Sequence, residues 1–185
     1  DSGIIVGRAQ DMTGRFHAFV TTITGGTIQL ASLDPRVDGE FGSAVGINSL
    51  GDVIGYYTTA GEHMSNHNRV FRYRDFQVED LGTFGGEDGV AVAVNDRGSV
   101  AGHFSSEPHA DYAEHRAFLS SGGKLVAIGS LGGQLTTARD LNNRDDVVGD
   151  GDVGDGEHRA FLFSSGRLRD LGTLPGGRQS AAYAI

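Results

Sequence analysis

The stretch Gly149 to Phe161, GDGDVGDGEHRAF, holds the densest cluster of chemically useful side chains in the sequence. Its first six residues fit the G-x-G-x-x-G fingerprint of dinucleotide sites. That chemistry needs a strand before the glycines, a helix opening after them, and backbone N–H groups facing a pyrophosphate. Here Asp150, Asp152 and Asp155 put negative charge where phosphate would sit, and HRAFLF after them reads as a strand. The nucleotide reading fails on sign and on context. Calcium is the better match, since carboxylates on a glycine-rich loop can converge oxygens on a hard cation. The candidate ligands are Asp150, Asp152, Asp155 and Glu157. The spacing departs from the EF-hand pattern, with Gly154 at the third ligand place and Phe161 at the twelfth. A calcium-braced loop therefore stands as one expectation beside a plainer one, a solvated acidic turn.

Histidine is the second candidate. All seven histidines fall in four windows, each running from a glycine to a phenylalanine. His17, His115 and His158 recur near one repeat position and read as strand-edge side chains bonded to backbone. His63, His67, His103 and His109 lie outside that pattern, and with Asp111 and Glu114 they make up a candidate binding face. The pair His63 and His67 has metal spacing for a helix, but TTAGEHMSNHN reads as loop, where that spacing carries little meaning. The motifs G-x-S-x-G, H-E-x-x-H and G-x-x-x-x-G-K-[ST] are absent from the sequence. No catalytic set emerges, so the chain is read as leaning away from an enzyme. A carboxylate pair acting on polysaccharide, as hydrolase or lyase, is the last of three functional alternatives.

These residues sit on a repeat. SAVGINSLGDVIG (43–55), VAVAVNDRGSVAG (90–102) and TARDLNNRDDVVG (137–149) align, with Asn48, Asn95 and Asn142 spaced by 47. An aromatic run follows in each unit: FHAFV, RVFRY, HRAFLS and HRAFLF. Then comes EDLGTFGG, AIGSLGG or RDLGTLPGG, with IQLASLD (28–34) as the eroded first copy. Each unit thus offers four short strands, here called A, B, C and D. Glycine at 51 and 98 supplies the positive φ of the A–B turn, and Asp145 replaces it in the last unit. Val53, Val100, Val147, Phe71, Phe118, Phe161, Leu81, Leu131 and Leu171 recur at matched positions and should form the core between units. Asp80 and Asp170, with Thr83 and Thr173, read as turn-capping groups.

Four strands per unit of this length fit blades of a β-propeller. The fold expected is all-β, one repeat domain over 1–185, with blades of 181–185 plus 1–42, 43–89, 90–136 and 137–180. SAAYAI (180–185) reads as a strand A and DSGIIVG (1–7) as a turn and strand B. Joined, they would complete one hairpin and close a four-bladed ring. The same pairing made between chains would assemble them, and a cut from a longer array is the bland rival.

Composition agrees. Glycine is 30 of 185 residues and no stretch has sustained helical periodicity. A net charge of −9 argues against nucleic acid and anionic membranes as partners. No apolar run approaches the roughly 18 residues of a membrane span. There is no cysteine, which suits a cytosolic protein or a disulfide-free extracellular one. The opening at Asp1 rather than Met is expected of a processed product.

The motifs HAF and AFLF, DLGTFGG and DLGTLPGG, and VNDRGSVAG together resemble the bacterial extracellular HAF-repeat family over nearly the whole chain. Departures are Arg69-Val70-Phe71 for HAF, Ile128-Gly129-Ser130 for DLGT, and the eroded 28–34 segment. The resemblance implies a secreted or cell-surface bacterial repeat protein and implies no activity. The B–C connections vary, with glycine-to-phenylalanine offsets of 12, 16, 16 and 12. Variable loops on a constant frame are where binding resides. The expectation is a module that binds an extracellular ligand, glycan or protein, through its B–C face. The alternative is a structural subunit that self-associates into a homo-oligomer by strand exchange.

Overall fold

A computed structural model describes residues 3–24, 27–32, 42–60, 66–105, 114–154 and 156–185. Fifteen strands and no helix occur among them. Sheet 1 holds β1 (Ile4–Gln10), β2 (Phe16–Thr24) and β3 (Thr27–Ser32). Sheet 2 holds β4 (Gly42–Ile47), β5 (Val53–Ala60), β6 (Asn66–Arg74) and β7 (Gln77–Gly82). Sheet 3 holds β8 (Asp88–Val94), β9 (Val100–Ser105), β10 (His115–Ser121) and β11 (Lys124–Ala127). Sheet 4 holds β12 (Thr136–Leu141), β13 (Val147–Asp152), β14 (His158–Ser164) and β15 (Arg167–Asp170). Every sheet is an antiparallel meander in chain order. The all-β expectation and the A–B–C–D order of units two to four are met.

The A–B hairpins are built alike. Gly51 and Gly98 take φ of 88° and 76°, and Asp145 takes 65° in their place. The ladder slips by one residue at the same point in each, passing over Val45, Val92 and Arg139. Such a bulge leaves one side chain outside the pairing pattern and sharpens the local twist. Beyond it, Ala44, Ala91 and Ala138 face Gly55, Gly102 and Gly149. Those glycines also pair with Phe71, Phe118 and Phe161 on strand C. A Cβ there would come within 2.7 to 2.9 Å of the aromatic ring and collide with the carbonyl of Ser43, Val90 or Thr137. Only glycine lets strand A and the ring close on strand B from both sides.

The sheets stack in sequence, each strand A packing on strands B and C of the sheet before it. Three apolar layers result. Ala18, Ala44, Val53 and Phe71 fill the first, Ile54, Val70, Ala91, Val100 and Phe118 the second, and Val147, Phe161 and Phe163 anchor the third. Phe71, Phe118 and Phe161 are fully buried, as are Val53 and Val147. Leu81 and Leu131 pack against these layers. Leu171 does not: no sheet follows sheet 4 among the described residues, and it stays 44% exposed.

The A–B turns lock to one another. Asn48 Oδ1 accepts from Leu50 N and Asp52 N, and Nδ2 donates to the carbonyl of Asn95 at 2.8 Å. Asn95 repeats this with Arg97 N, Ser99 N and the carbonyl of Asn142, at 2.9 Å. One asparagine per unit thus shapes its own turn and ties it to the next. Asp80 and Asp170 do cap the DLG turns, accepting from Gly82 N at 2.8 Å and Gly172 N at 2.6 Å. Thr173 Oγ1 donates to the carbonyl of Gly177.

Sheet 1 differs from the expectation of ring closure. It has three strands, and among the described residues no strand lies beyond β1. Segment 180–185 is not in a ladder with it. It lies along sheet 4 instead, held by Ser180 N to the carbonyl of His158 (3.0 Å) and Ala182 N to that of Gly149 (3.3 Å). Ile185 N donates to Asp140 Oδ2 at 2.8 Å. This is the place a strand A takes against the preceding sheet, so local packing holds the segment on sheet 4.

Candidate functional site

In this topology the A–B and C–D turns emerge on one face, and the B–C and D–A connections on the other. The second is the loop face. Among the described residues, a cleft of about 410 Å³ lies there between sheet 4 and segment 179–183. Arg139, Asp150, His158, Gln179, Ser180, Ala181 and Tyr183 line it.

Strand register explains the lining. Arg139 occupies the bulge of the β12–β13 hairpin, so its side chain leaves the ladder and pairs with Asp150 on β13. The paired strand β14 brings His158 Nδ1 within 3.9 Å of the same carboxylate. Tyr183 aligns with the bulge position of the next unit, and the Arg139 guanidinium lies 4.8 Å from the centre of its ring. At 70% exposure, Tyr183 still offers much of its surface to solvent. Ser180 frames the floor: its Oγ accepts from Ala160 N at 2.9 Å and donates to the carbonyl of Gly172 at 2.6 Å. The cleft therefore combines one cation, one carboxylate, an imidazole, an amide and an aromatic ring. Chemically, that set offers hydrogen-bonding groups beside one aromatic face.

The acidic loop is divided, not convergent. Asp150 is paired with Arg139 as described. Asp152 Oδ1 accepts from Leu135 N at 2.8 Å and so ties the loop to the D–A connection. Glu157 faces Arg178 at 2.8 Å and Arg159 at 3.8 Å. Asp155 lies outside the described residues. Among the described residues no cluster of three or more His, Asp or Glu side chains gathers to hold a metal ion. A cation at this loop would have to displace Arg139 and Arg178.

The histidine face is also split. His63, His109 and Asp111 lie outside the described residues. His67 Nδ1 stands 3.3 Å from Glu87, between sheets 2 and 3. Glu114 accepts from Arg116 at 2.9 Å. His103 is the one drawn inward: burial, then the positive field of His115 and Arg139, hold its pKa down at about 4. Its ring stacks on His115 with centroids 5.5 Å apart, and no described residue bonds its Nδ1. Of the strand-edge histidines, His17 Nε2 meets Asp11 at 2.8 Å, His158 Nδ1 lies 3.9 Å from Asp150, and His115 stacks on His103.

Sequence reasoning placed Asp150 on the face that matters but missed Arg139, Gln179, Ser180 and Tyr183. A signal was present. The bulge position carries valine in units two and three, and Arg139 and Tyr183 break that apolar column. Comparison with family models, curated proteins and solved structures found no match for the chain.

Proposed function

We propose that this chain is a secreted or cell-surface binding module, built as propeller-like blades, that takes a glycan in the loop-face cleft. The observation that carries the reading is the cleft itself. Strand residues of sheet 4 and segment 179–183 line it, and the repeat departs from its own pattern at Arg139 and Tyr183 to do so. The exposed tyrosine ring suits the C–H face of a sugar, and Asp150, Arg139, Gln179 and His158 suit its hydroxyls. The lining holds a single carboxylate, Asp150, among the described residues. Glycoside hydrolysis ordinarily needs two, flanking the bond to be cut. Binding is therefore favoured over cleavage. The HAF-like motifs support the extracellular assignment.

A glycan array on the purified chain identifies the ligand class, and titration calorimetry then measures the best hit. Tyr183→Ala and Asp150→Asn should each weaken that hit at least tenfold. An array blank at high protein concentration, or hits indifferent to both substitutions, would remove the cleft from consideration.

A further inference from the structure

The outer strands of sheets 2, 3 and 4 hold the same place with different chemistry. Register aligns them through the buried phenylalanines: Phe71 faces Asp80, Phe118 faces Ala127 and Phe161 faces Asp170. One residue earlier, Val126 stands where β7 has Glu79 and β15 has Arg169. An outermost strand presents main-chain groups with no neighbour, and charge along it keeps other strands away. β7 and β15 carry charge at both positions. β11 carries Val126 and Ala127 instead, and all of its residues are exposed, Leu125 at 49% and Val126 at 37%. The missing aspartate changes the sheet behind it as well. Asp80 and Asp170 hold Arg69 and Arg159 of the adjacent strand, at 2.7 and 3.2 Å, whereas Arg116 turns to Glu114.

Main-chain direction on β11 is set by its pairing with β10. Ile128 N donates to the carbonyl of Ala117 at 3.0 Å, so the N–H and C=O groups of Val126 and Lys124 also point toward β10. Those of Leu125 and Ala127 point the other way, out of the sheet. Among the described residues no strand pairs with that edge.

We propose that a second copy of this chain pairs with this edge, β11 against β11, antiparallel about a two-fold axis through Val126. In that register Leu125 of each copy faces Ala127 of the other, and the outward donors and acceptors of both strands are used. Val126 meets Val126 of the second copy, and the two Lys124 side chains lie at opposite ends. The same operation on β7 or β15 would set Glu79 or Arg169 against its own like charge, which repels. Self-complementarity therefore selects both the strand and its occupant. Main-chain pairing supplies the affinity. The contact is isologous and closes on itself, so assembly stops at the dimer. An edge this short is small beside a standard interface, which makes the dimer reversible. It uses none of the residues that line the loop-face cleft, and it stands or falls apart from the glycan reading.

Sedimentation velocity over a concentration series should show monomer giving way to dimer and to nothing larger. Val126→Glu and Val126→Arg install side chains that β7 and β15 already carry at that place, so each variant should keep the parent melting temperature. Each alone should dimerise about tenfold more weakly or worse. Mixed one to one, they should recover the dimer, because opposite charges then meet across the axis. Val126→Cys, in a chain otherwise free of cysteine, should oxidise to a disulfide-linked dimer, since the Cα atoms of such a pair lie about 4.5 Å apart. Leu125→Cys should not, because its copy lies on the diagonal, about 7–8 Å away. A chain that stays monomeric at millimolar concentration overturns the proposal, as do assemblies beyond the dimer. Cross-linking at Leu125 as fast as at Val126 overturns it too, as do charge variants that dimerise like the parent.

Discussion

The two faces of this molecule follow opposite rules. On the turn face, each unit repeats the last almost atom for atom. Asn48, Asn95 and Asn142 make the same bonds to their own turns, and the first two make the same bond to the next. On the loop face, equivalent positions diverge. The residue after the strand-B glycine is Arg8, Tyr56, His103 or Asp150, and the bulge residue is Val45, Val92, Arg139 or Tyr183. Sameness is enforced where one unit must grip another. Difference accumulates where nothing in the stack depends on the side chain.

The largest effect should come from the turn face. Asn95→Ala deletes two bonds to its own turn, one to the carbonyl of Asn142 and one to Asp145 Oδ1, from a side chain that is almost wholly buried. Left unsatisfied, those groups should cost about 3 kcal/mol in chemical denaturation. Asp96→Ala, one residue along and exposed, should cost well under half as much. Equal costs would mean that the asparagine row is not what binds the units.

His103 tests whether the loop face is as free of structural duty as its diversity suggests. Its folded pKa of about 4 lies below the ordinary value of 6.5, so the unfolded chain binds a proton that the folded one refuses. Between those two values, stability should fall as pH falls, by up to about 3 kcal/mol in total. Above about pH 6.5 this contribution should be flat. His103→Gln should remove that share of the slope, and an unchanged slope would show that the imidazole is not held neutral.

The smallest effect is expected at the acidic loop. With Arg139 on Asp150 and Arg178 on Glu157, added calcium or a chelator should leave the melting temperature within about a degree. A rise with calcium that Asp152→Ala abolishes would mean that the arginines yield and the carboxylates regroup.

Much of the frame was legible because its signals are local and repeated. The Asn spacing, the glycine or aspartate of the turn and the valine and phenylalanine columns each mark a position where one residue type satisfies one geometric need. The site was less legible for a physical reason. Arg139 meets Asp150 through a bulge, and an extra residue in a hairpin is invisible to alternation when the sequence around it is already mixed. Segment 180–185 has the pattern of a strand A but enters no ladder, and its place along sheet 4 is decided by competing surfaces and not by its own pattern. Leu171 belongs to the core by its column and lies exposed because no sheet follows sheet 4 among the described residues.

The bulge also bears on how such a protein changes over generations. Doubling a unit copies the frame intact, asparagine, glycine and phenylalanine together. It also copies a position that the pairing ladder passes over. Each new unit therefore arrives with one side chain outside the pairing pattern, exposed at Val45 and packed against a core layer at Val92. Arg139 and Tyr183 stand where other units carry Val45 and Val92, and together they make one cleft out of two such positions.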